Sequence, residues 1–189
     1  NWFQATPAQF KFSLKAPQKV THWAKLRNCG DTLRFFHQVI SDLEKKLGCV
    51  LFQLPPTLKK DADLLEAFLQ DIPAGMRCAF EFRDASWFDD EIFGLLREHD
   101  AAMCAADTDE VADPSALTMS TASWGYLRLR RTEYADGEIA QWAKRVQQQT
   151  WSAAHVIFKH EDEGKGPAFR KRFLTAFPGS DGTFEQAPP

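Results

Sequence analysis

The 189-residue chain lacks the features that mark several common classes of protein. It has no run approaching the roughly 18 apolar residues of a bilayer span, so we predict no membrane segment. With 23 Lys and Arg against 26 Asp and Glu, its net charge of −3 lacks the basic excess of many nucleic-acid-binding proteins. No G-x-G-x-x-G or G-K-[ST] loop follows a strand-like run, which argues against a dinucleotide or P-loop site. No G-x-S-x-G motif indicates a nucleophilic serine.

Paired cysteines are also missing, because Cys29, Cys49, Cys78 and Cys104 stand alone without a C-x-x-C motif. Three of them lie in apolar strand-like runs, where cysteine behaves as a small hydrophobic residue. We therefore expect free thiols and a cytoplasmic location rather than a disulfide framework or a zinc site.

The sequence does contain a regular alternation of strand-like runs and amphipathic helices. The strand-like runs end near residues 15, 54, 83, 107, 130 and 160. Helical patterns cover 32–48, 61–72, 89–100, 136–150 and 167–177, the first with Asp31 as N-cap and Gly48 as its stop. A spacing of about thirty residues is typical of parallel βαβ units.

Six such units fit either an open doubly wound sheet or most of a (β/α)₈ barrel. The missing glycine-rich loops favour the barrel. We predict an α/β fold of the TIM-like barrel type over 1–178, incomplete with about six of eight β-α units, and a disordered tail over 179–189.

Polar side chains recur on one face of the strand-like runs. In CAFEFR, 78–83, Phe80 and Phe82 alternate with Glu81 and Arg83. A barrel strand packs one face against helices and turns the other toward the lumen, so we expect the polar face to line the interior. Its members are Lys11, Ser13, Lys15, Gln53, Glu81, Arg83, Asp107, Tyr126, Arg128 and Arg130.

These polar residues cluster at the C-terminal ends of strands, where barrel active sites are built. We expect one connected network that receives an anion, formed by Lys15, Glu81, Arg83, Asp107 and Arg128. The alternative is a purely structural set of ion pairs.

The segments FKFSLKAPQKVTH, LFQLPPTL, AFEFRDASWF, ADT and YLRLR resemble, in order and spacing, motifs of the YecE-like family (domain of unknown function 72). The resemblance runs from Asn1 to Phe177. It implies a TIM-barrel-like fold, no settled biochemical function, and a chain that opens inside the segment before the third strand. Positions that match the motifs are Lys15, His22, Gln53, Pro55, Pro56, Glu81, Arg83, Trp87, Asp107, Arg128 and Tyr134. Many relatives have an aromatic followed by two asparagines where this chain has FKHEDEGKGP, around Lys159 and His160.

The candidate chemistry combines carboxylates and cations. Glu81 and Asp107 are the expected catalytic residues, since two carboxylates on neighbouring strands suit acid–base work or glycoside hydrolysis. A salt-bridged pair is the alternative. The expected substrate-binding residues are Lys15, His22, Gln53, Arg83, Trp87, Arg128, Tyr134 and His160.

Within that set, the Lys and Arg side chains suit phosphate or carboxylate. The aromatic residues Trp87, Trp124 and Tyr134 could stack on a sugar or base, or pack in the core. His22, His160, Glu81 and Asp107 could bind a divalent metal, but no H-x-x-H spacing supports this, so we predict no metal site.

We therefore predict an enzyme acting on a small anionic, phosphate- or carboxylate-bearing, or sugar-like substrate at the C-terminal mouth of the barrel. The alternative is a non-catalytic protein that binds a nucleic acid or metabolite with the same mouth. The sequence indicates neither a cofactor nor an oligomeric state.

Overall fold

The computed structural model describes residues 2–110, 119–158 and 164–177, and these residues contain six parallel strands. The strands are β1 Phe12–Lys15, β2 Leu47–Gln53, β3 Cys78–Glu81, β4 Ala102–Asp107, β5 Gly125–Leu129 and β6 Ala154–Phe158. The helices are α1 Trp2–Ala5, α2 Gly30–Ser41, α3 Ala62–Asp71, α4 Asp90–Glu98, α5 Asp136–Gln147 and α6 Lys165–Thr175. A π-helical turn covers Lys19–Trp23, and 3₁₀ turns cover Glu44–Lys46 and Ala85–Trp87.

The chain divides into two compact units, 1–103 and 104–189, with the boundary inside β4. In the first unit, β1, β2, β3 and the start of β4 pair in parallel, with Leu14 opposite Val50 and Phe80 opposite Met103. In the second unit, the end of β4 pairs with β5, and β5 pairs with β6. Six parallel strands with intervening helices confirm the predicted α/β class.

The helices of the first unit begin where the sequence supplies a side-chain cap. Asp61 accepts a hydrogen bond from the Leu64 backbone at 3.0 Å, and Asp89 accepts one from Glu91 at 3.0 Å. Each cap satisfies an N–H group that has no partner within its helix. The buried residues of α3 and α4 form an apolar stripe along each helix, and this stripe faces the strands.

The core of the first unit is built from the apolar face of the strands. Phe52 and Phe80 stack on each other at 5.3 Å, and both contact Phe68 of α3 edge-on. Val50 and Phe82 belong to the same cluster. The apolar face of β2 and β3 therefore meets the helices, as predicted from the alternation.

The core of the second unit lies between β5 and the helices α5 and α6. It contains Leu127 and Leu129 from β5, with Trp142 of α5 and Phe173 of α6. At Gly125 the Trp151 ring would lie 2.3 Å from an added Cβ, so a residue without a side chain is needed there.

Helix α2 departs furthest from its prediction. Helix α2 begins at Gly30 after the backbone cap Cys29, so Asp31 lies inside its first turn and makes no cap. It ends at Ser41, because Glu44 adopts a left-handed φ of 46° that a helix cannot continue. Gly48, predicted as the stop, lies in β2.

The prediction of free thiols is confirmed, since all four cysteines are buried and unbridged. No helix in the described part of the chain is long and apolar enough to cross a membrane. The predicted tail, 179–189, lies outside the described residues.

Candidate functional site

A chain of hydrogen bonds links four polar side chains at the C-terminal ends of β1, β2 and β3. Lys15 Nζ donates to Gln53 Oε1 at 2.6 Å, and Gln53 Nε2 donates to Glu81 Oε1 at 2.6 Å. Arg83 Nε donates to the same Glu81 oxygen at 3.2 Å. We refer to Lys15, Gln53, Glu81 and Arg83 as the Glu81 cluster. The sequence prediction named all four.

The register of the strands explains why these residues meet. Gln53 and Glu81 are directly paired across β2 and β3, so their side chains leave the same face. Lys15 pairs with Leu51, two residues before Gln53, and therefore shares that face. This is the face opposite to Phe52 and Phe80, which pack against the helices. The alternation of apolar and polar residues thus positions the cluster.

Burial separates the carboxylate from the cations in the Glu81 cluster. The Glu81 side chain is 2% exposed, whereas that of Arg83 is 39% exposed. A buried carboxylate is costly without charged or hydrogen-bonding partners, and Arg83 and Gln53 supply both. The arrangement therefore holds a buried acid beneath a guanidinium that solvent reaches.

His22 lies in the π-helical turn Lys19–Trp23, which follows the end of β1. Its Nδ1 lies 2.8 Å from Thr21 Oγ1, and Thr21 is buried, so the imidazole orientation is fixed by a side chain of the protein interior. The next residue, Trp23, is 76% exposed. Trp23 was not among the site residues predicted from the sequence.

Ion pairs connect the loops that follow β1, β2 and β3. Arg27 Nη2 contacts Asp61 Oδ2 at 3.0 Å, which joins the first loop to the second. Lys60 Nζ contacts Asp89 Oδ1 and Glu91 Oε2, both at 2.8 Å, which joins the second loop to the third. Hydrogen bonds to Asp89 and Glu91 raise the pKa of Lys60. We call this series of connected loops the rim.

The structure corrects the prediction that Trp87 stacks on a ligand. Its side chain is fully buried, with the ring parallel to Phe82 at 4.9 Å. Its indole N–H donates to the Leu58 carbonyl at 2.7 Å. Both the ring face and the polar edge are used in the core, so Trp87 holds the second and third loops together.

Asp107 departs from its predicted face. Its Oδ1 accepts from Arg131 Nε at 2.8 Å, and its Oδ2 accepts from Trp142 Nε1 of α5 at 3.0 Å. Asp107 pairs with Leu129, which belongs to the helix-facing core. It therefore projects toward the helices of its unit rather than toward the opposite face. Its fully buried carboxylate is held by an ion pair and an indole N–H.

Arg131, the ion-pair partner of Asp107, was not predicted from the sequence. Besides Asp107, it contacts Glu138 Oε1 through Nη1 at 3.1 Å. Its backbone N–H donates to the Tyr134 hydroxyl at 3.1 Å. We refer to Asp107, Arg131, Glu138 and Trp142 as the Asp107 cluster. It ties the end of β4 to the β5–α5 loop and to α5.

Tyr134 was predicted to bind substrate, and its position corrects that prediction. The side chain is buried and packs edge-on against Phe169 at 5.3 Å. Burial raises the pKa of its phenol. Tyr134 is therefore a core residue whose hydroxyl fixes the backbone at Arg131. Trp124 is likewise fully buried, against His155.

The remaining candidates are placed as follows. Arg128 is buried on β5, where its register partners are Ala106 and Ile157. His160 and Lys159 lie outside the described residues. Of the predicted five-residue network, the structure joins Lys15 to Glu81 through Gln53 and joins Arg83 to Glu81 directly. A link from them to Asp107 or Arg128 stays a prediction.

No group of three or more His, Cys, Asp or Glu side chains within the described ranges is arranged to hold a metal ion. The chemistry that the Glu81 cluster offers is proton transfer by a carboxylate and anion binding by cations.

The parallel strands and the helices between them define an α/β protein, and this chain has known relatives. Residues 1–189 match the family described as "Protein of unknown function DUF72". The chain therefore belongs to the DUF72 family.

Two further comparisons agree with that assignment. The UPF0759 protein YecE of Escherichia coli strain K12 is 31% identical over 88 residues, which is 46% of this chain. That match covers 32% of the curated relative's length. The crystal structure of a DUF72 family protein from Thermotoga maritima is similar with a TM-score of 0.79, at 23% identity, over 91% of this chain and 75% of that one. A DUF72 family protein from Enterococcus faecalis gives 0.78, at 17% identity, over 92% and 80%. At these low sequence identities, the two structures show that the fold is shared.

Proposed function

We propose that the chain supplies about six units of a TIM-like (β/α) barrel and acts as an enzyme on a small anionic or sugar-like substrate. Six successive parallel strands and the similarity to DUF72 structures support the barrel. Four buried free thiols support a reducing compartment such as the cytoplasm. The Glu81 cluster carries the proposal for the activity.

The anion would bind to the cations of the Glu81 cluster. The Arg83 guanidinium uses Nε for Glu81, and among the described residues it makes no other hydrogen bond or ion pair. Its two terminal nitrogens therefore remain for a ligand, and a guanidinium presents such pairs of N–H groups in the geometry of phosphate or carboxylate. Lys15 adds a second positive charge on the neighbouring side of Gln53.

Glu81 would transfer the proton. Its carboxylate is buried next to the exposed cation, so a ligand bound to Arg83 comes close to it. Gln53 fixes the carboxylate by a 2.6 Å hydrogen bond and so limits the positions that Glu81 Oε1 can take. A positioned carboxylate of this kind contributes roughly 10²- to 10⁴-fold to a reaction as a general acid or base.

The alternative use of the same cluster is binding without catalysis, of a nucleic acid or a metabolite. It would employ the same cations but would not need proton transfer by Glu81. The two functions therefore make different predictions for the Glu81→Gln variant. A binding protein would keep its function in this variant, whereas an enzyme would keep ligand binding and lose turnover.

Calorimetric titration with inorganic phosphate tests the anion site. We expect binding to the wild type, at least tenfold weaker binding to Arg83→Gln, and unchanged binding to Arg34→Gln. Arg34 is a matched control because it is an exposed arginine on α2, ion-paired with Asp31. Failure of the wild type to bind phosphate would contradict the proposed site.

Turnover of a panel of sugar phosphates, followed by ³¹P and ¹H NMR, tests the catalytic role. We expect Glu81→Gln to bind phosphate but to lose roughly 10²- to 10⁴-fold in rate. Full turnover by Glu81→Gln would refute the proton-transfer role. Phosphate binding without turnover of any panel member by the wild type would favour the binding protein.

A further inference from the structure

Trp23 is far more exposed to solvent than Trp87, Trp124 or Trp142. It is 76% exposed, whereas Trp87, Trp124 and Trp142 are buried. A tryptophan presents a large flat apolar surface, and leaving it in water forgoes the burial that most tryptophans obtain. An exposed indole of this size offers a flat face on which a ligand ring could stack.

The backbone fixes Trp23 at the end of β1 where the Glu81 cluster lies. Ala16 N, one residue after the strand, donates to the Leu51 carbonyl at 2.9 Å. Three residues later the π-helical turn begins, and its residues Val20 and Thr21 are buried. These two residues anchor the turn in the core, and the turn carries Trp23 outward next to His22.

The same segment holds backbone conformations that are rare for residues with side chains. Lys25, Leu26 and Asn28 have φ values of 49°, 68° and 51°. Leu26 N still donates to the Val20 carbonyl at 3.0 Å, so the turn is closed by a hydrogen bond. π-Helical turns and left-handed residues of this kind are concentrated at ligand-binding sites.

A second exposed aromatic lies on the rim. Phe88 is 40% exposed and belongs to the loop after β3, the strand that carries Glu81. The rim connects the two loops through Arg27–Asp61 and Lys60–Asp89. By topology, the loops of Trp23 and Phe88 flank the central strand β2 of the Glu81 cluster.

We propose that Trp23 is the stacking residue of a ring subsite beside the Glu81 cluster. This inference rests on the proposed anion site and specifies its ligand. The ligand carries a phosphate or carboxylate attached to a ring with a flat apolar face, either aromatic or a sugar. The anion binds Arg83 and Lys15, and the ring lies against the Trp23 indole.

Two probes that share one anion test the subsite. Phenyl phosphate carries a ring and inorganic phosphate does not, so the ratio of their dissociation constants isolates the contribution of the ring. Stacking on an aromatic side chain predicts a ratio of roughly 5- to 150-fold in favour of phenyl phosphate for the wild type.

Three variants identify the residue responsible. In Trp23→Ala the ratio of the two dissociation constants should fall to about one, because the ring has lost its stacking partner. Inorganic phosphate should bind to this variant as it does to the wild type. Trp23→Tyr should keep most of the preference. Phe35→Ala is the matched control, because Phe35 is 69% exposed but lies on α2. Phenyl phosphate should also protect the tryptophan fluorescence of the wild type from quenching by acrylamide, because the bound ring covers the Trp23 indole.

The outcomes separate the two proposals. Phosphate binding without a ring preference in the wild type would overturn the ring subsite and leave the anion site in place. A ring preference that survives in Trp23→Ala would also overturn the assignment to Trp23. Failure of the wild type to bind inorganic phosphate would overturn the anion site, and with it the subsite.

Discussion

We predict that the ion pair between Asp107 and Arg131 makes a large contribution to the stability of the second unit. The Asp107 carboxylate is fully buried and accepts from Arg131 at 2.8 Å and from Trp142 at 3.0 Å. The Arg131→Met variant keeps a long apolar side chain but removes the cation. It leaves the buried carboxylate beside neutral partners, among them the Trp142 indole and the Tyr134 hydroxyl, and we expect a marked loss of stability.

The magnitude follows mainly from the ion pair with Asp107, which the variant removes. Breaking a buried pair by removing one partner costs about 3–5 kcal/mol, because the remaining charge is uncompensated. The second contact, to Glu138, involves a carboxylate that is 42% exposed and adds at most about 1 kcal/mol. The pair with Asp107 therefore dominates, and the loss should lie near 3–5 kcal/mol.

A double variant separates the charge from the packing. In Asp107→Asn/Arg131→Met, the asparagine oxygen can still accept from Trp142 and no charge is buried. We expect the double variant to be more stable than Arg131→Met alone, with a coupling energy of about 1–3 kcal/mol.

Urea unfolding followed by circular dichroism measures these differences. With a slope of about 1–3 kcal/mol per molar urea, a loss of 3 kcal/mol lowers the midpoint by about 1–3 M. Arg130→Met is the matched control, since the Arg130 side chain forms no hydrogen bond within the described ranges, and it should change stability by less than about 0.5 kcal/mol. Equal effects of Arg130→Met and Arg131→Met, or a double variant less stable than Arg131→Met, would refute the reasoning.

Three further predictions concern other parts of the chain. Burial raises the pKa of Cys49 to about 12, so at pH 8 only about one thiol in ten thousand is ionised, and Ellman's reagent should react with it only after unfolding. Burial also raises the folded-state pKa of Tyr134 above the usual 10.0, so its stabilising contribution is complete below about pH 10 and is lost as pH rises further. The urea midpoint should therefore fall less between about pH 8 and 11 in Tyr134→Phe than in the wild type. Finally, Asp61→Ala should cost about 1–2 kcal/mol through the lost α3 cap, whereas Arg27→Ala, which removes only the exposed ion pair, should cost less than about 1 kcal/mol in the same urea assay.

The order of strands and helices could be predicted from the sequence because the apolar spacing of each element is regular. The runs around Phe52 and Phe80 alternate strictly, and their apolar residues meet the helices as expected. Helix α2 was predicted less well. Its apolar pattern continues past residue 41, but the left-handed backbone at Glu44 ends the helix, and hydrophobic spacing contains no signal for that turn.

The Glu81 cluster was predictable for the same reason as the strands. Lys15, Gln53 and Glu81 each alternate with large apolar residues, so their common face could be read from the sequence. Strand β4 has no such contrast, because its residues before Asp107 are small or apolar on both faces. The face of Asp107 was therefore assigned wrongly. Its partner Arg131 was missed because β5 ends at Leu129, and strand alternation does not continue into the loop.

Exposure of aromatic residues was the least predictable property of the candidate site. Trp87 and Tyr134 were expected at the ligand, yet both are buried, and Trp23 is exposed. Residue type alone does not decide this, since a tryptophan suits both a core and a binding surface. The decision depends on whether the loop turns the ring inward, as the 3₁₀ turn at Trp87 does, or outward, as the π-helical turn does at Trp23.

The contrast between Glu81 and Asp107 shows why two similar carboxylates support different interpretations. Both end a parallel strand, both are buried, and both are paired with an arginine. The Arg131 side chain is only 19% exposed and its guanidinium also engages Glu138, so the Asp107 cluster is closed on itself. The Arg83 side chain is 39% exposed and engages Glu81 alone among the described residues. A ligand can reach the Arg83 guanidinium from solvent, and for that reason we propose substrate chemistry for Glu81 and a stabilising role for Asp107.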